Sequence, residues 1–202
     1  MYIQFLGANG FRLQNGDFHV IVDPPGATTG LRQTALKADV ALSSGFGDID
    51  LSRVNPQNQD LFIIDHAGEY EIQGMFVYGL ADNKSTFYII EIDGVVVGHM
   101  AGLSSALPER LLEHLAVVDV LLLPVGGNDI LSVKKAPDVV SQIEPRIVIP
   151  MDYSHEGYKV KRDGIELFIK EMGVKDVEWT DKVKIAKKDL PQEETKFVFL
   201  SP

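Results

Sequence analysis

The sequence predicts an α/β (α+β) chain in which two mixed β-sheets pack face to face with helices outside. Three observations carry that prediction. The first hundred residues are short β-branched and aromatic runs broken by turn residues. After Gly102, helical apolar stripes alternate with continuous apolar runs. A length of 202 residues with 45% hydrophobic and 24% charged side chains suffices for one sizeable core. The expectation is one domain over residues 1–202, without repeat or linker.

In chain order, strands are expected over residues 2–6, 11–14, 19–22, 40–42, 61–64, 75–78, 86–92 and 95–100. Asn15-Gly16 and Asp93-Gly94 lie between apolar runs and read as type I′ hairpin turns, whose central residues need positive φ. Gly68 and Gly74 bracket Glu69-Tyr70-Glu71, which reads as a turn. Residues 108–115 open with Pro108 and set Leu111, Leu112 and Leu115 on one face, the pattern of a helix. Residues 118–123 suit a strand buried on both faces. A helix over 133–143, a strand over 146–150 and a helix over 164–172, stopped by Gly173, continue the alternation. Strands over 183–185 and 196–200 close it.

Nineteen Lys and Arg against 29 Asp and Glu give a net charge of −10, which repels nucleic acid and anionic lipid. The densest basic stretch, residues 182–188, alternates Lys with Val and Ile and reads as the exposed face of an edge strand. No apolar run approaches membrane-spanning length, and the opening Met1-Tyr2-Ile3-Gln4-Phe5-Leu6 has no secretion-signal character, so the expected compartment is the cytoplasm. Cysteine is absent, which excludes disulfides, thiol nucleophiles and thiolate zinc sites. Any metal must be held by His, Asp or Glu.

Several segments, taken in order, resemble the metallo-β-lactamase fold and its small family of predicted zinc-dependent hydrolases. They are Phe5-Leu6-Gly7 with Phe11, Val22-Asp23-Pro24, Ala38-Asp39-Val40-Ala41-Leu42, Gly68-Glu69-Tyr70-Glu71-Ile72-Gln73-Gly74 and Tyr88-Ile89-Ile90-Glu91-Ile92-Asp93-Gly94. Val118-Asp119-Val120-Leu121-Leu122-Leu123-Pro124-Val125-Gly126-Gly127 and Glu144-Pro145-Arg146-Ile147-Val148-Ile149-Pro150-Met151 follow. The resemblance covers nearly the whole chain and implies an αββα sandwich.

It also implies where zinc ligands would stand, and those positions can be checked singly. The family's loop His-x-His-x-Asp-His corresponds to Ser44, Phe46, Asp48 and Ile49 here, so only the Asp is kept. The loop bearing the family's next histidine corresponds to residues 79–85, which contain no His. The bridging Asp is matched by Ala101-Gly102, the closing Pro-Met-His-Tyr by Pro150-Met151-Asp152-Tyr153, and the early Leu-Gly-His by Leu6-Gly7-Ala8. A zinc site needs three or four convergent donors, and every histidine at a ligand position is missing. The expectation is therefore a metal-free pseudoenzyme without cofactor, whose vestigial pocket is lined by Ser44, Phe46, Asp48, Ile49, Gly102 and Asp152. Its expected role is binding or assembly, with an unknown small molecule in that pocket or by self-association, a homodimer being the common closed form.

The alternative is a hydrolase with a rebuilt mononuclear site in which Asp48 and Asp152, helped by Asp23 or Asp50, hold Mg²⁺ or Mn²⁺. Against it, Asp48 reads equally as a cap on its own loop, accepting backbone N–H groups. Among the histidines, His19 and His114 read as surface residues, whereas His66, His99 and His155 stand where they could approach the pocket from the side. Ser44 near a His suggests a nucleophile, but no Gly-x-Ser-x-Gly elbow surrounds it. Gly45 and Gly47 are not followed by the rest of a phosphate-binding loop, and they lead into acidic Asp48 and Asp50.

Overall fold

The structure, a computed structural model, describes residues 1–32 and 34–202, with the side chains of all of them except Arg110. Two large sheets form the centre. The first runs, from edge to edge, Val183–Lys184, Tyr2–Gly7, Gly10–Asn15, Phe18–Val22, Val40–Leu42 and Phe62–Ile64. Its first four strands are antiparallel, and the last two join parallel to Phe18–Val22. The second runs Lys196–Phe197, Ile147–Met151, Val120–Pro124, Val95–His99, Thr86–Ile92, Met75–Ala81 and Gly68–Ile72. Here an antiparallel meander passes at Val95–His99 into three parallel strands.

Burial follows from the sequence pattern. Tyr2–Gly7 alternates and buries Ile3 and Phe5, while Val120–Pro124 and Ile147–Met151 are apolar throughout and buried throughout. One apolar cluster joins the inner faces of both sheets, with Phe5, Phe11, Leu13, Val77, Tyr88 and Ile90 among its members. The helices Glu109–Leu115, Ala136–Ile143 and Ile165–Glu171 each add a stripe to it, through Leu111 and Leu115, Val139 and Ile143, and Ile165 and Phe168. Of the basic stretch 182–188, read as the face of an edge strand, only Val183–Lys184 forms that strand; Lys187 lies in the 3₁₀ turn Lys187–Asp189 and pairs with Asp119 Oδ2 at 2.7 Å.

Local differences have local reasons. Glu69-Tyr70-Glu71 belongs to the edge strand Gly68–Ile72, and the tight turn is Gln73-Gly74, with φ of 52° and 80°. Asp93-Gly94 is a positive-φ turn as read, at 55° and 71°. In the first hairpin Asn15 pairs with Phe18, so the two loop residues are Gly16 and Asp17, and Asn15 stays in the strand. The short strands Leu36–Ala38 and Val54–Pro56, which pair with each other, and Trp179–Thr180, which pairs with Phe199–Leu200, lie outside the predicted strands. The run 196–200 is split at Val198, whose amide leaves to bond Val148 O. Among the described residues no helix is long and apolar enough to cross a membrane.

This topology gathers the ends of Tyr2–Gly7, Phe18–Val22, Val40–Leu42, Val95–His99 and Ile147–Met151. Leu42 O accepts from Asp23 N at 3.0 Å, and Ala8 O accepts from Asp152 N at 2.8 Å. Carboxyl ends of parallel strands leave side chains and backbone groups free to converge on one cleft.

Candidate functional site

Three residues that leave these strands sit in left-handed backbone without being glycine: Ala8 at φ 52°, Asp23 at 44° and Asp152 at 49°. Such conformations cost about 1 kcal/mol each and persist only where surrounding contacts hold them. The contacts are polar. Asp23 is buried and accepts Ser44 N at 2.7 Å and Ser44 Oγ at 2.5 Å. His99, with no exposed surface, places Nε2 at 2.8 Å from Asn9 O and 3.8 Å from Asp23 Oδ2. A carbonyl only accepts, so Nε2 carries the proton; Nδ1 is buried without a partner. Burial pushes the Asp23 carboxyl above its usual range, against the opposing pull of His99 and the Ser44 hydrogen bonds.

Asp152 anchors the other side of the cleft. Its side chain has no exposure and accepts Arg162 Nε at 2.8 Å and Nη2 at 3.1 Å, Tyr158 Oη at 2.7 Å and Asn9 Nδ2 at 3.3 Å. The guanidinium, 6% exposed, also donates Nη1 to Asp129 Oδ1 at 2.6 Å. Burial works against its charge but is outweighed by the hydrogen bonds and charge of Asp152, which hold its pKa above the ordinary arginine value. A planar two-pronged contact of this kind is the strong form of a carboxylate pair. The Tyr158 hydroxyl is pushed up by burial and by Asp152, so it stays a donor.

The six residues expected to line the pocket are distributed unevenly. Phe46, Asp48 and Ile49 line a cavity of about 40 Å³ together with Asn9, Asp23, Tyr158 and Arg162. Ser44 is held beneath it by Asp23, and its Oγ accepts Phe46 N at 3.2 Å, so it is not an exposed nucleophile. Gly102, at φ 78°, lies under the Phe46 ring, where an added Cβ would come within 2.7 Å of Cδ2. Asp48 does not cap its own loop. It accepts Thr28 N at 2.7 Å and Thr28 Oγ1 at 2.5 Å from the loop after Phe18–Val22, and these bonds hold its carboxyl below the usual range. Gly26 is required there because a Cβ would collide with that carboxylate. The cap of the loop is Asp50, through Ser52 N.

Of the three histidines that could approach, only His99 enters the network. His66 is exposed and pairs with Asp65. His155 stacks on Tyr158 with centroids 5.2 Å apart, and burial lowers its pKa. His114 is exposed and His19 half-buried on its strand.

These residues do not fit a zinc ion. The positions that the resemblance assigns to imidazoles hold Ser44, Phe46 and Ile49; Asp152 is engaged by Arg162, Tyr158 and Asn9, and the exposed Asp48 by Thr28 at Oδ2. Among the described residues, no group of three or more His, Asp or Glu is placed to hold a metal.

A family model described as the β-lactamase superfamily domain matches residues 2–152. The chain belongs to this superfamily. A protein from Thermotoga maritima assigned to the zinc-dependent hydrolases of the metallo-β-lactamase superfamily superposes with a TM-score of 0.82 over 100% of both chains, at 24% identity. A metallo hydrolase from Ignicoccus hospitalis does so with a TM-score of 0.66 at 16% identity, over 91% of this chain and 98% of that one. These likenesses establish the αββα sandwich. A UPF0173 metal-dependent hydrolase from Pyrococcus horikoshii is 32% identical over 100 residues, 43% of this chain and 44% of the relative. Matches to the curated relatives span between 17% and 44% of their lengths.

Arg162, Tyr158, Asn9 and Thr28 were not singled out in the sequence. Nothing local marks Arg162, which stands between Lys161 and Asp163 in a loop; only the return of that loop to the end of Ile147–Met151 makes it part of the cleft.

Proposed function

We propose that this chain is a metal-free member of the superfamily that works by binding or assembly rather than by hydrolysis. The observation that carries the reading is the two-pronged contact of Arg162 with Asp152, which puts a fixed cation on the carboxylate standing at a family ligand position. A guanidinium has no open coordination position and does not lower the pKa of water as a metal does. The cavity of about 40 Å³ accommodates roughly one or two waters, whereas ligand pockets run to roughly 300–1,000 Å³. Binding is therefore assigned to the outer surface of the sandwich, with self-association as one form, and the net charge of −10 argues against nucleic acid as a partner.

The relatives named metal-dependent hydrolases favour a second reading, a divergent hydrolase with one ion at Asp48 and Asp152. Elemental analysis of the full chain, purified and then dialysed against Zn²⁺ or Mn²⁺, separates the two. Sub-stoichiometric metal and a melting temperature indifferent to chelator are expected. Stoichiometric metal that disappears in an Asp48→Ala, Asp152→Ala variant would establish the hydrolase reading instead.

A further inference from the structure

Away from the cleft, the second sheet leaves part of its outer face bare, and register decides which side chains share it. Glu69 pairs with Tyr78 and Tyr78 with Ile89; Glu71 pairs with Phe76 and Phe76 with Glu91. Directly opposed residues point to the same side of a sheet. Two aromatic rings, Phe76 at 37% and Tyr78 at 39% exposure, thus lie between the carboxylates of the edge strand and that of Glu91. The face runs on into a groove of about 400 Å³ floored by Ile89 and Val96 and walled by Tyr78, Glu113 and Val117, the last 60% exposed. Among the described residues that line the groove there is no Lys or Arg.

We propose that this groove docks a basic amphipathic helix of a partner protein, with apolar side chains on Tyr78 and Val117 and Lys or Arg ends reaching Glu69, Glu91 and Glu113. The charge pattern selects the partner: an apolar floor rimmed by acids rejects an acidic helix and pairs with a basic one. The helical form follows from the neighbour. Glu109–Leu115 forms one wall of the groove through Glu113 and His114, and a second helix laid beside it at about 8–10 Å continues the helical layer over the sheet. A second copy fits poorly, since this face set against itself opposes carboxylates. The chain's own basic stretch is a strand, Val183–Lys184, followed by the 3₁₀ turn Lys187–Asp189, and forms no amphipathic helix. The inference names a partner class for the binding role proposed above, yet groove and cleft share no lining residue, so either reading can fail alone.

The test is an anisotropy titration of the full chain with three labelled peptides: a Leu/Lys amphipathic helix, its Leu/Glu counterpart, and the Leu/Lys composition with the apolar stripe scrambled. Saturable binding of the first alone is expected, with Kd raised about ten-fold or more by Glu91→Lys with Glu113→Lys, or by Tyr78→Ser. Glu193→Lys with Glu194→Lys, which changes the same charge at an exposed site outside the groove, is expected to leave Kd within about two-fold. Equal losses in the two double variants would reduce the attraction to net charge and overturn the site. Equal binding of the scrambled peptide would overturn the helix, and no binding would overturn the proposal outright. A concentration-dependent dimer in sedimentation equilibrium that Tyr78→Ser abolishes would make a second copy the occupant and overturn the assignment to a partner.

Discussion

The cleft at the strand ends and the groove on the outer sheet face are opposite solutions to the same problem of exposed surface. In the cleft, charged groups are packed together and nearly all engaged: Asp152 by three side chains, Asp23 by Ser44, Asp48 by Thr28. In the groove, apolar rings and carboxylates line an open surface, with no Lys or Arg among the described lining residues. The bonds of the cleft hold it in place, and within it His99 Nδ1 and Asn9 Oδ1 are the buried polar atoms left without a partner among the described residues. An apolar patch rimmed by one sign of charge gains free energy when it is covered. The comparison sets the internal order of the cleft beside the association proposed for the sheet face.

The comparison can be broken most forcefully at Arg162. Arg162→Ala leaves the fully buried Asp152 carboxylate with only Tyr158 and Asn9, and a loss of about 3–5 kcal/mol in urea unfolding is expected. Arg162→Met combined with Asp152→Asn removes the uncompensated charge and should recover much of that loss. If Arg162→Ala unfolds like the unsubstituted chain, the cleft is not a tightly held network.

Gly102→Ala should cost about 1–3 kcal/mol, because the new Cβ meets Phe46 Cδ2 and Ser85 Oγ at 2.7 and 2.9 Å in positive-φ backbone. Thermal unfolding reads it, and an unchanged melting temperature would mean that Phe46 does not close the cleft.

Asp23 sharpens the picture through pH. Its folded pKa is raised by burial, so between the ordinary carboxylate value and the raised one the folded chain keeps a proton that the unfolded chain has released. Unfolding free energy therefore falls as pH rises through that window, and Asp23→Asn should flatten the fall. Urea titrations at a series of pH values measure the slope. At the small end, Tyr78→Ser should change stability by less than about 0.5 kcal/mol, since the ring is a surface feature. A larger loss would mean that the groove belongs to the core.

The strands with plain alternation or unbroken apolar runs were legible in the chain, because burial on one face or two is written at period two or as a continuous stretch. Gly68–Ile72 was not, since its two glutamates point outward from a sheet edge and its bracketing glycines look like turn residues. In the cleft, the residue types at Ser44, Phe46 and Ile49, where the resemblance expects imidazoles, could be read directly. The partner of Asp48 could not: an Asp in a Gly-rich loop reads as its own cap, and only packing brings Thr28, 20 residues away, into reach.

By itself, the sequence determined the sandwich and which residue types stand at its strand ends, because hydrophobic period and residue type are local properties of the chain. Tertiary structure alone decided that Arg162 lies on Asp152, that His99 is sealed between Asn9 and Asp23, and that Phe76 and Tyr78 share a face with Glu69, Glu71 and Glu91. Those contacts join residues far apart in the chain, and no pattern within a short window contains the distance between them.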